Sequence, residues 1–225
     1  MSRLHWFRLL AIACVLLLAG APAGAKDEKA EKSEKPKSIR VAIMPLVNRS
    51  AEVGATKIME DVLRDRLKEV PSDRATFLHP PDTERLLLMR DAMDRGTVLL
   101  DIWSDHGRMD STAAAGLDSV LMVDAILFAK VAEWENVRVN TVGRGESHTT
   151  VGLQFALFDL TTGKKLWWKD PREQRFAQEI DVSSGAVNYD ETGYIQSRNV
   201  TDPPRYEDVA SDLVRNAFKK FPQQK

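Results

Sequence analysis

Cysteine is almost missing from this 225-residue sequence, because Cys14 is the single one. It lies inside an apolar N-terminal stretch, Leu9–Ala19, of the kind found in removable leaders. Once that stretch is removed, the chain has no thiol left. This excludes disulfides and a cysteine nucleophile from the rest of the protein.

A strong charge of either sign is missing too. The chain has 32 Lys and Arg against 33 Asp and Glu, so its formal charge at pH 7 is −1. Loss of Arg3 and Arg8 with the leader would leave about −3. Proteins that bind nucleic acid concentrate basic residues on one face or in one domain. We therefore expect no nucleic-acid partner.

Long apolar runs are absent outside the N-terminus. Arg3 and Arg8 precede Leu9–Ala19, and Ala23-Gly24-Ala25 supplies the small residues of a cleavage site. The apolar segment is shorter than the ~20 residues that a spanning helix needs. The pattern predicts a signal peptide over 1–25, cleavage after Ala25, and a periplasmic or secreted protein.

Two membrane-bound alternatives stay open at this end of the chain. The signal could remain uncleaved and act as an anchor. Cys14 could instead be lipidated, which would give an outer-membrane lipoprotein, since Ala11–Cys14 fits a lipobox loosely. A lipidated cysteine should be followed by polar residues, however, and Val15–Leu18 continues the apolar run. We expect membrane contact only under these two alternatives.

Residues 26–37 contain no apolar residue larger than Ala, apart from Pro36, and are otherwise charged or small. Such a segment cannot bury enough surface to fold, so it predicts a disordered linker. Residues 38–225 remain as a single α/β domain, with an irregular excursion at about 178–204.

Hydrophobic periodicity gives the order of elements in this domain. Its first half predicts a strand with two apolar faces, a helix with Ser50 as N-cap, a short strand, and a helix closed by Gly96. Its second half predicts short helices, one starting at Asp110, then a run of strands and a last helix. This order indicates an α/β fold with a mixed, largely antiparallel sheet packed with helices. The predicted strands are Ile39–Val47, Ala75–Leu78, Val123–Val131, Arg138–Thr141, Thr150–Asp159 and Lys165–Lys169, and the last helix is Tyr206–Phe221.

No residues combine into a recognisable catalytic, cofactor or metal site. The loop Asn48–Ser50 joins a strand to a helix but lacks the glycines of a phosphate-binding loop. Asp101, Asp105, His106 and Asp110 are close in sequence but lack the spacing of a zinc motif. We expect a non-enzymatic protein without a cofactor. The alternative is a periplasmic small-ligand or metal-dependent binding protein or enzyme that uses this loop and the Asp101–Asp110 cluster.

Tryptophan and tyrosine supply the candidate contact residues. Trp167 and Trp168 are consecutive on a predicted strand, so they must point to opposite faces. One can enter the core while the other is free for a partner, and aromatic side chains are favoured as interface anchors. The predicted partner-binding residues are Trp134, Trp168, Tyr189 and Tyr194.

Four segments together resemble a known group of proteins. They are "IRVAIMPLVNRS", "LDSVLMVDAILFAKVAEW", "LQFALFDLTTGKKLWW" and the closing "FKKFP". Their order resembles bacterial envelope proteins of the curli-secretion CsgG type and the lipoprotein activators of penicillin-binding proteins of the LpoB type. The resemblance covers residues 38–170 and the last helix. It implies a central first strand, a second strand at "DAIL" and a hairpin around "DLTTG".

The resemblance also implies a periplasmic domain that works by contact, with no catalytic set to transfer. The chain lacks the paired amphipathic hairpins of a pore, so we do not expect a CsgG-like channel. The predicted function is an exported accessory or adaptor protein that acts through protein–protein contacts in an envelope assembly or secretion system. Its partners are envelope proteins of unknown identity, and self-association into a homo-oligomer is left open.

Overall fold

The computed structural model describes residues 38–138, 146–177 and 202–222. The predicted leader, the linker, Cys14, Tyr189 and Tyr194 lie outside the described residues, so the predictions about them stay predictions. The described elements are β1 (Ile39–Ile43), β2 (Val47–Asn48), α1 (Ala55–Leu67), β3 (Ala75–Leu78), α2 (Pro80–Met89), α3 (Met93–His106), α4 (Ser111–Ala114), α5 (Leu117–Leu121), β4 (Ala125–Val137), β5 (His148–Asp159), β6 (Lys165–Lys169), β7 (Arg172–Phe176) and α6 (Tyr206–Phe218).

The strands form one mixed sheet in the order β3-β1-β4-β5-β6, with β2 added to β4 and β7 added to β5. Strand β1 runs parallel to β3 and β4, whereas β5 runs antiparallel to β4, β6 and β7. The longest ladder is the antiparallel one between β4 and β5. The predicted α/β class with a mixed, largely antiparallel sheet is confirmed.

Successive residues of β1 and the following Met44 point alternately into two separate hydrophobic cores, because side chains alternate between the faces of a strand. Val41 and Ile43 belong to a cluster that also contains the buried faces of α1 and α6. Ala42 and Met44 belong to a second cluster, formed with buried residues of α2 to α5. We call these the α1/α6 face and the α2–α5 face of the sheet.

The first strand is shorter than predicted because Pro45 interrupts it. Proline has no N–H to donate and is therefore disfavoured inside a sheet. The chain leaves the ladder after Ile43 and rejoins it at Val47, which pairs with Lys130 of β4. The bend reverses the expected alternation, so Leu46 packs against the α1/α6 core. An uninterrupted strand over Ile39–Val47 would instead place Leu46 on the same face as Ala42 and Met44.

The first helix begins later than predicted, and Ser50 is not its N-cap. The N-cap is Gly54, without a side-chain hydrogen bond. Ser50 instead donates its hydroxyl to Asn48 Oδ1 at 2.7 Å, and its backbone N–H donates to the same oxygen at 2.9 Å. Asn readily forms such local turns, which compete with helix initiation.

The second predicted helix is two helices. The helix is interrupted at Asp91, whose φ of 54° is in the left-handed region, and α3 starts at Met93. Gly96 was predicted as a C-cap but lies inside α3. A Cβ at Gly96 would come within 2.8 Å of Leu87 Cδ1, so this glycine allows α2 and α3 to pack closely.

The strand region also differs from the prediction. Strand β4 runs continuously to Val137, with a register shift between Val131 and Glu133. The predicted strand ends at Val131, so its end is wrong. The separate strand predicted at Arg138–Thr141 lies outside the described residues except for Arg138, and it stays a prediction. Beyond Val131 only Trp134 is buried, and polar residues dominate, so a search for apolar runs does not detect this part of the strand. The polar edge strand β7 was missed for the same reason, and α6 ends at Phe218 instead of Phe221.

Candidate interaction surface

Trp167 and Trp168 point to opposite faces of the sheet, as predicted. Trp167 packs in the α1/α6 core, with its ring centroid 5.0 Å from that of Phe218 and 5.4 Å from that of Phe221. Trp168 pairs with Ala156, which belongs to the α2–α5 core. Trp168 is nevertheless 53% exposed. The helices on its side therefore leave this edge of the face uncovered.

A lysine lies on the same face, two positions along the ladder from the Trp168 pair. Lys130 pairs with Gln154 of β5, and its ammonium lies 5.4 Å from the ring centroid of Trp103. It also donates a hydrogen bond to the Ser104 carbonyl at 3.3 Å. These contacts hold a cation against the end of α3 by a cation–π interaction and a hydrogen bond.

The pKa of Lys130 is lowered, first by burial of its ammonium and then by the positive charge of Arg49. The carboxylates of Asp170 and Asp105 act in the opposite direction. Burial disfavours the charged form of a lysine, and a nearby cation adds to that effect. Arg49, Asp105 and Asp170 thus all act on the ammonium group of Lys130.

Arg49 joins the loop 48–50 to the last turn of α3. Its Nη2 donates to Ser104 Oγ at 2.7 Å, and its guanidinium forms an ion pair with Asp105. Both side chains of this pair are more than half exposed, so the pair contributes little to stability. The two segments of the alternative site prediction do come together here, through one arginine and one carboxylate.

We define the Trp168 surface as Arg49, Asp105, Lys130, Trp168 and Asp170. It combines a large exposed aromatic ring with charges of both signs on a face of the sheet that the helices leave partly open. Interfaces commonly have this composition, with an aromatic anchor surrounded by a polar rim. The arrangement can bind a complementary protein surface.

The Asp101–Asp110 cluster does not act as a unit. Asp110 caps α4, because its Oδ1 accepts the Ala113 N–H at 2.8 Å. Asp105 pairs with Arg49, while Asp101 is exposed on α3. Within the ranges that the structure describes, no group of three or more His, Cys, Asp or Glu side chains is placed to hold a metal ion. In the same ranges no helix is both long and apolar enough to cross a membrane.

Trp134, another predicted contact residue, is not part of this surface. Trp134 is 5% exposed and stacks on Tyr206, with ring centroids 4.8 Å apart. This position gives Trp134 a structural role, and its partner role stays a prediction. Tyr189 and Tyr194 lie outside the described residues.

Sequence reasoning missed Lys130 and Asp170. Lys130 did carry a signal, since it is the single charge in the apolar run "AILFAKVA". Asp170 carried none, because a carboxylate before a proline is an ordinary turn residue.

No family model and no curated protein sequence matches the chain. Among solved structures, the lipoprotein GNA1162 from Neisseria meningitidis is 19% identical, covers 61% of this chain and 83% of its own, and has a TM-score of 0.39. The PelC dodecamer from Paraburkholderia phytofirmans is 13% identical, with 81% and 87% covered and a TM-score of 0.43. The LpoB C-terminal domain from Escherichia coli is 13% identical, with 61% and 84% covered and a TM-score of 0.38. These likenesses concern the fold and assign no function, and the likeness to the CsgG type stays a prediction.

Proposed function

We propose that this chain is an exported, non-enzymatic accessory or adaptor protein of the bacterial envelope that binds another envelope protein through the Trp168 surface. The observation that carries the proposal is the exposure of Trp168 on the face of the sheet that also carries Lys130 and its charged neighbours. Burying an indole removes a large apolar area from water, and its rigid ring loses little conformational entropy on binding.

The sheet edge next to Trp168 supports binding through the face of the sheet. Strands β6 and β7 pair with successive parts of β5, and Pro171 between them accepts the Leu153 N–H at 2.9 Å. In the described part of the chain no strand pairs beyond them. This edge carries Lys165, Lys169 and Pro171, which are residues that discourage edge-to-edge pairing. A partner would therefore contact side chains on the face.

The sequence features of the N-terminus support an envelope location. The leader pattern is typical of exported proteins. The charged linker alone would span at most about 40 Å when fully extended. Anchoring through Cys14 or an uncleaved signal would hold the domain near a membrane. Cleavage after Ala25 would release it.

Several carboxylates form hydrogen bonds that stabilise turns, strands or helix ends. Such structural roles support a function without catalysis. Asp110 caps α4, and Asp159 accepts hydrogen bonds from the backbone and hydroxyl of Thr162 at 2.6 and 2.8 Å. Asp124 accepts the Arg40 backbone N–H at 2.9 Å.

Site-specific photo-crosslinking in the native host tests the proposal. A crosslinking residue at position 168 should give a discrete adduct with an envelope protein. The matched control is position 88, because Leu88 is 72% exposed on α2 and does not belong to this surface. Equal adducts at both positions, or none at 168, would refute the proposed surface.

A ligand-binding or metal-dependent function remains the second candidate, because Arg49 and Asp105 do meet. Native mass spectrometry with metal analysis separates the two candidates. A stoichiometric ion or small molecule that is lost on Arg49→Gln would favour the second one. Light scattering after size-exclusion chromatography would show in the same preparation whether the chain forms a homo-oligomer.

A further inference from the structure

A second feature lies on the α1/α6 side of the sheet, where the C-terminal ends of α1 and α6 meet. A pocket of about 280 Å³ opens there, and its lining includes four cationic side chains and one carboxylate. We call it the cationic pocket; its charged residues are Arg66, Arg74, Arg215, Lys219 and Glu69.

Glu69 is shared between two of these cations. Arg66 forms an ion pair with it, and Arg215 Nε lies 3.7 Å from its Oε2. Arg215 also bonds Asp212 at 3.0 Å, but Asp212 accepts from Arg175 at the same distance. The acidic groups near the pocket are therefore already divided among three guanidinium groups.

The remaining two cations have no carboxylate partner within the described ranges. Lys219 Nζ donates to the neutral Asn216 Oδ1 at 2.9 Å, and no ion pair of Arg74 occurs among those residues. Unbalanced cations at short range repel one another, and an anion bound between them would relieve that repulsion.

Helix ends account for only part of this charge. Lys219 caps α6, and a cation at a helix C-terminus interacts favourably with the helix dipole. Arg74, in contrast, immediately precedes β3. Its backbone is fixed on both sides, since its N–H donates to the Pro71 carbonyl at 2.9 Å and its carbonyl accepts the Ile39 N–H at 3.0 Å. The helix dipoles thus do not explain why Arg74 lines the pocket.

We propose that the cationic pocket binds the phosphate group of a ligand that also carries an apolar part. Arginine forks match the oxygens of phosphate in geometry and charge. Val70 and Phe218 provide apolar surface beside the cations, which a bare inorganic ion would leave uncovered. A phospholipid headgroup and a free phosphorylated metabolite share this chemistry.

The pocket lies near the point where the N-terminal part of the chain enters the domain, which is relevant to a lipid ligand. The chain enters the domain next to it, because Ser38 Oγ donates to the Ser72 carbonyl at 2.8 Å and Ile39 pairs beside Arg74. Any anchor at the N-terminus would therefore be tethered at this end of the domain. The proposal does not depend on the Trp168 surface.

Two binding measurements on the purified protein test the pocket. Calorimetry at low ionic strength uses inorganic pyrophosphate as the soluble probe. Cosedimentation uses vesicles of phosphatidylglycerol and phosphatidylcholine, with pure phosphatidylcholine vesicles as the neutral reference. We expect Arg74→Gln or Lys219→Gln to weaken binding at least about tenfold, as loss of one charge-assisted hydrogen bond does.

Lys57→Gln is the matched control, because it removes the same charge from an exposed position near the other end of α1. Binding to anionic vesicles that pyrophosphate displaces identifies a lipid headgroup, and pyrophosphate binding alone identifies a soluble ligand. Both support the pocket. The proposal would be overturned if neither probe bound. It would also be overturned if Lys57→Gln and Arg74→Gln weakened binding equally. Thermal melting of each variant without ligand confirms that it is folded.

Discussion

The two faces of the sheet differ in how completely helices cover them. On the α1/α6 face, the core extends from β3 to β6, and Trp167 at the edge strand still contacts Phe218 and Phe221 of the closing segment. On the α2–α5 face, the core ends at β5, and Trp168 on the next strand is left exposed. Adjacent tryptophans thus have different roles because one helix layer reaches the sheet edge and the other does not.

The two faces also carry different kinds of surface. The open part of the α2–α5 face combines an aromatic ring with mixed charge, which suits a protein partner. The closed α1/α6 face ends in a pocket with excess positive charge, which suits an anion. Mutations on the two faces should therefore affect stability and binding in different proportions.

The largest expected effect is a loss of stability on the α1/α6 face. Phe155 is fully buried there and contacts the rings of Trp167 and Phe218. Phe155→Ala should lower the free energy of unfolding by about 3–5 kcal/mol, because it removes apolar contacts and leaves a cavity. Urea unfolding measures the change. A loss below about 1 kcal/mol would contradict the tight packing of this face.

The adjacent tryptophans allow a direct test of the difference between the faces. We expect Trp167→Ala to lower the unfolding free energy by roughly 2–4 kcal/mol. Trp168→Ala should change it by less than about 1 kcal/mol, since surface substitutions have small effects. Both variants can be compared in one urea series. Similar losses at the two positions would show that Trp168 belongs to the core.

The packing of α2 against α3 on the α2–α5 face can be tested at Gly96. Gly96→Ala should cost about 1–3 kcal/mol, because its methyl group would clash with Leu87. The second substitution Leu87→Val in the same chain should recover part of that loss by making room. If Leu87→Val added its full cost to that of Gly96→Ala, the clash would not be the cause.

The smallest expected effect is a pH dependence at His79, which precedes α2. Burial lowers the pKa of His79, and Arg64 lowers it further, while Asp82 opposes the change. Between its ordinary value near 6.5 and this lowered value, the unfolded chain binds more protons than the folded one. Stability contributed by neutral His79 is therefore lost as the pH falls from about 7 towards 5.

Thermal unfolding between pH 7 and 5 measures this dependence against the variant His79→Gln. The difference in Tm between the two proteins should change in that interval and stay constant above pH 7.5. A difference that is independent of pH would show that His79 titrates as in the unfolded chain.

The class of the fold and most elements could be predicted from residue patterns. The two apolar faces of the first strand and the apolar residues of Thr150–Asp159 predicted two strands of the sheet, and Asp110 correctly marked a helix start. Element ends were less predictable. Gly96 has the signature of a helix end, but close packing against Leu87 places it inside α3. Ser50 has the signature of an N-cap, but the nearby Asn48 captures its hydroxyl.

The candidate surface was predictable only in part. Strand geometry alone required that Trp167 and Trp168 point in opposite directions. It did not reveal which one would be covered, since that depends on where α6 lies. Nor did it reveal that Arg49 would reach Asp105, because the two residues are brought together by the pairing of β2 with β4 and the packing of α3 on β4.

By itself the sequence determined the α/β class and the opposition of the two tryptophans, and it predicts the leader and the charged linker. These follow from local composition and from the periods of strand and helix, which act along the chain. Only the tertiary structure decided which tryptophan is exposed, which lysine lies near the charged groups on the same face, and which four cations line one pocket. Such neighbours are set by contacts between residues that are distant in sequence, and local patterns do not encode them.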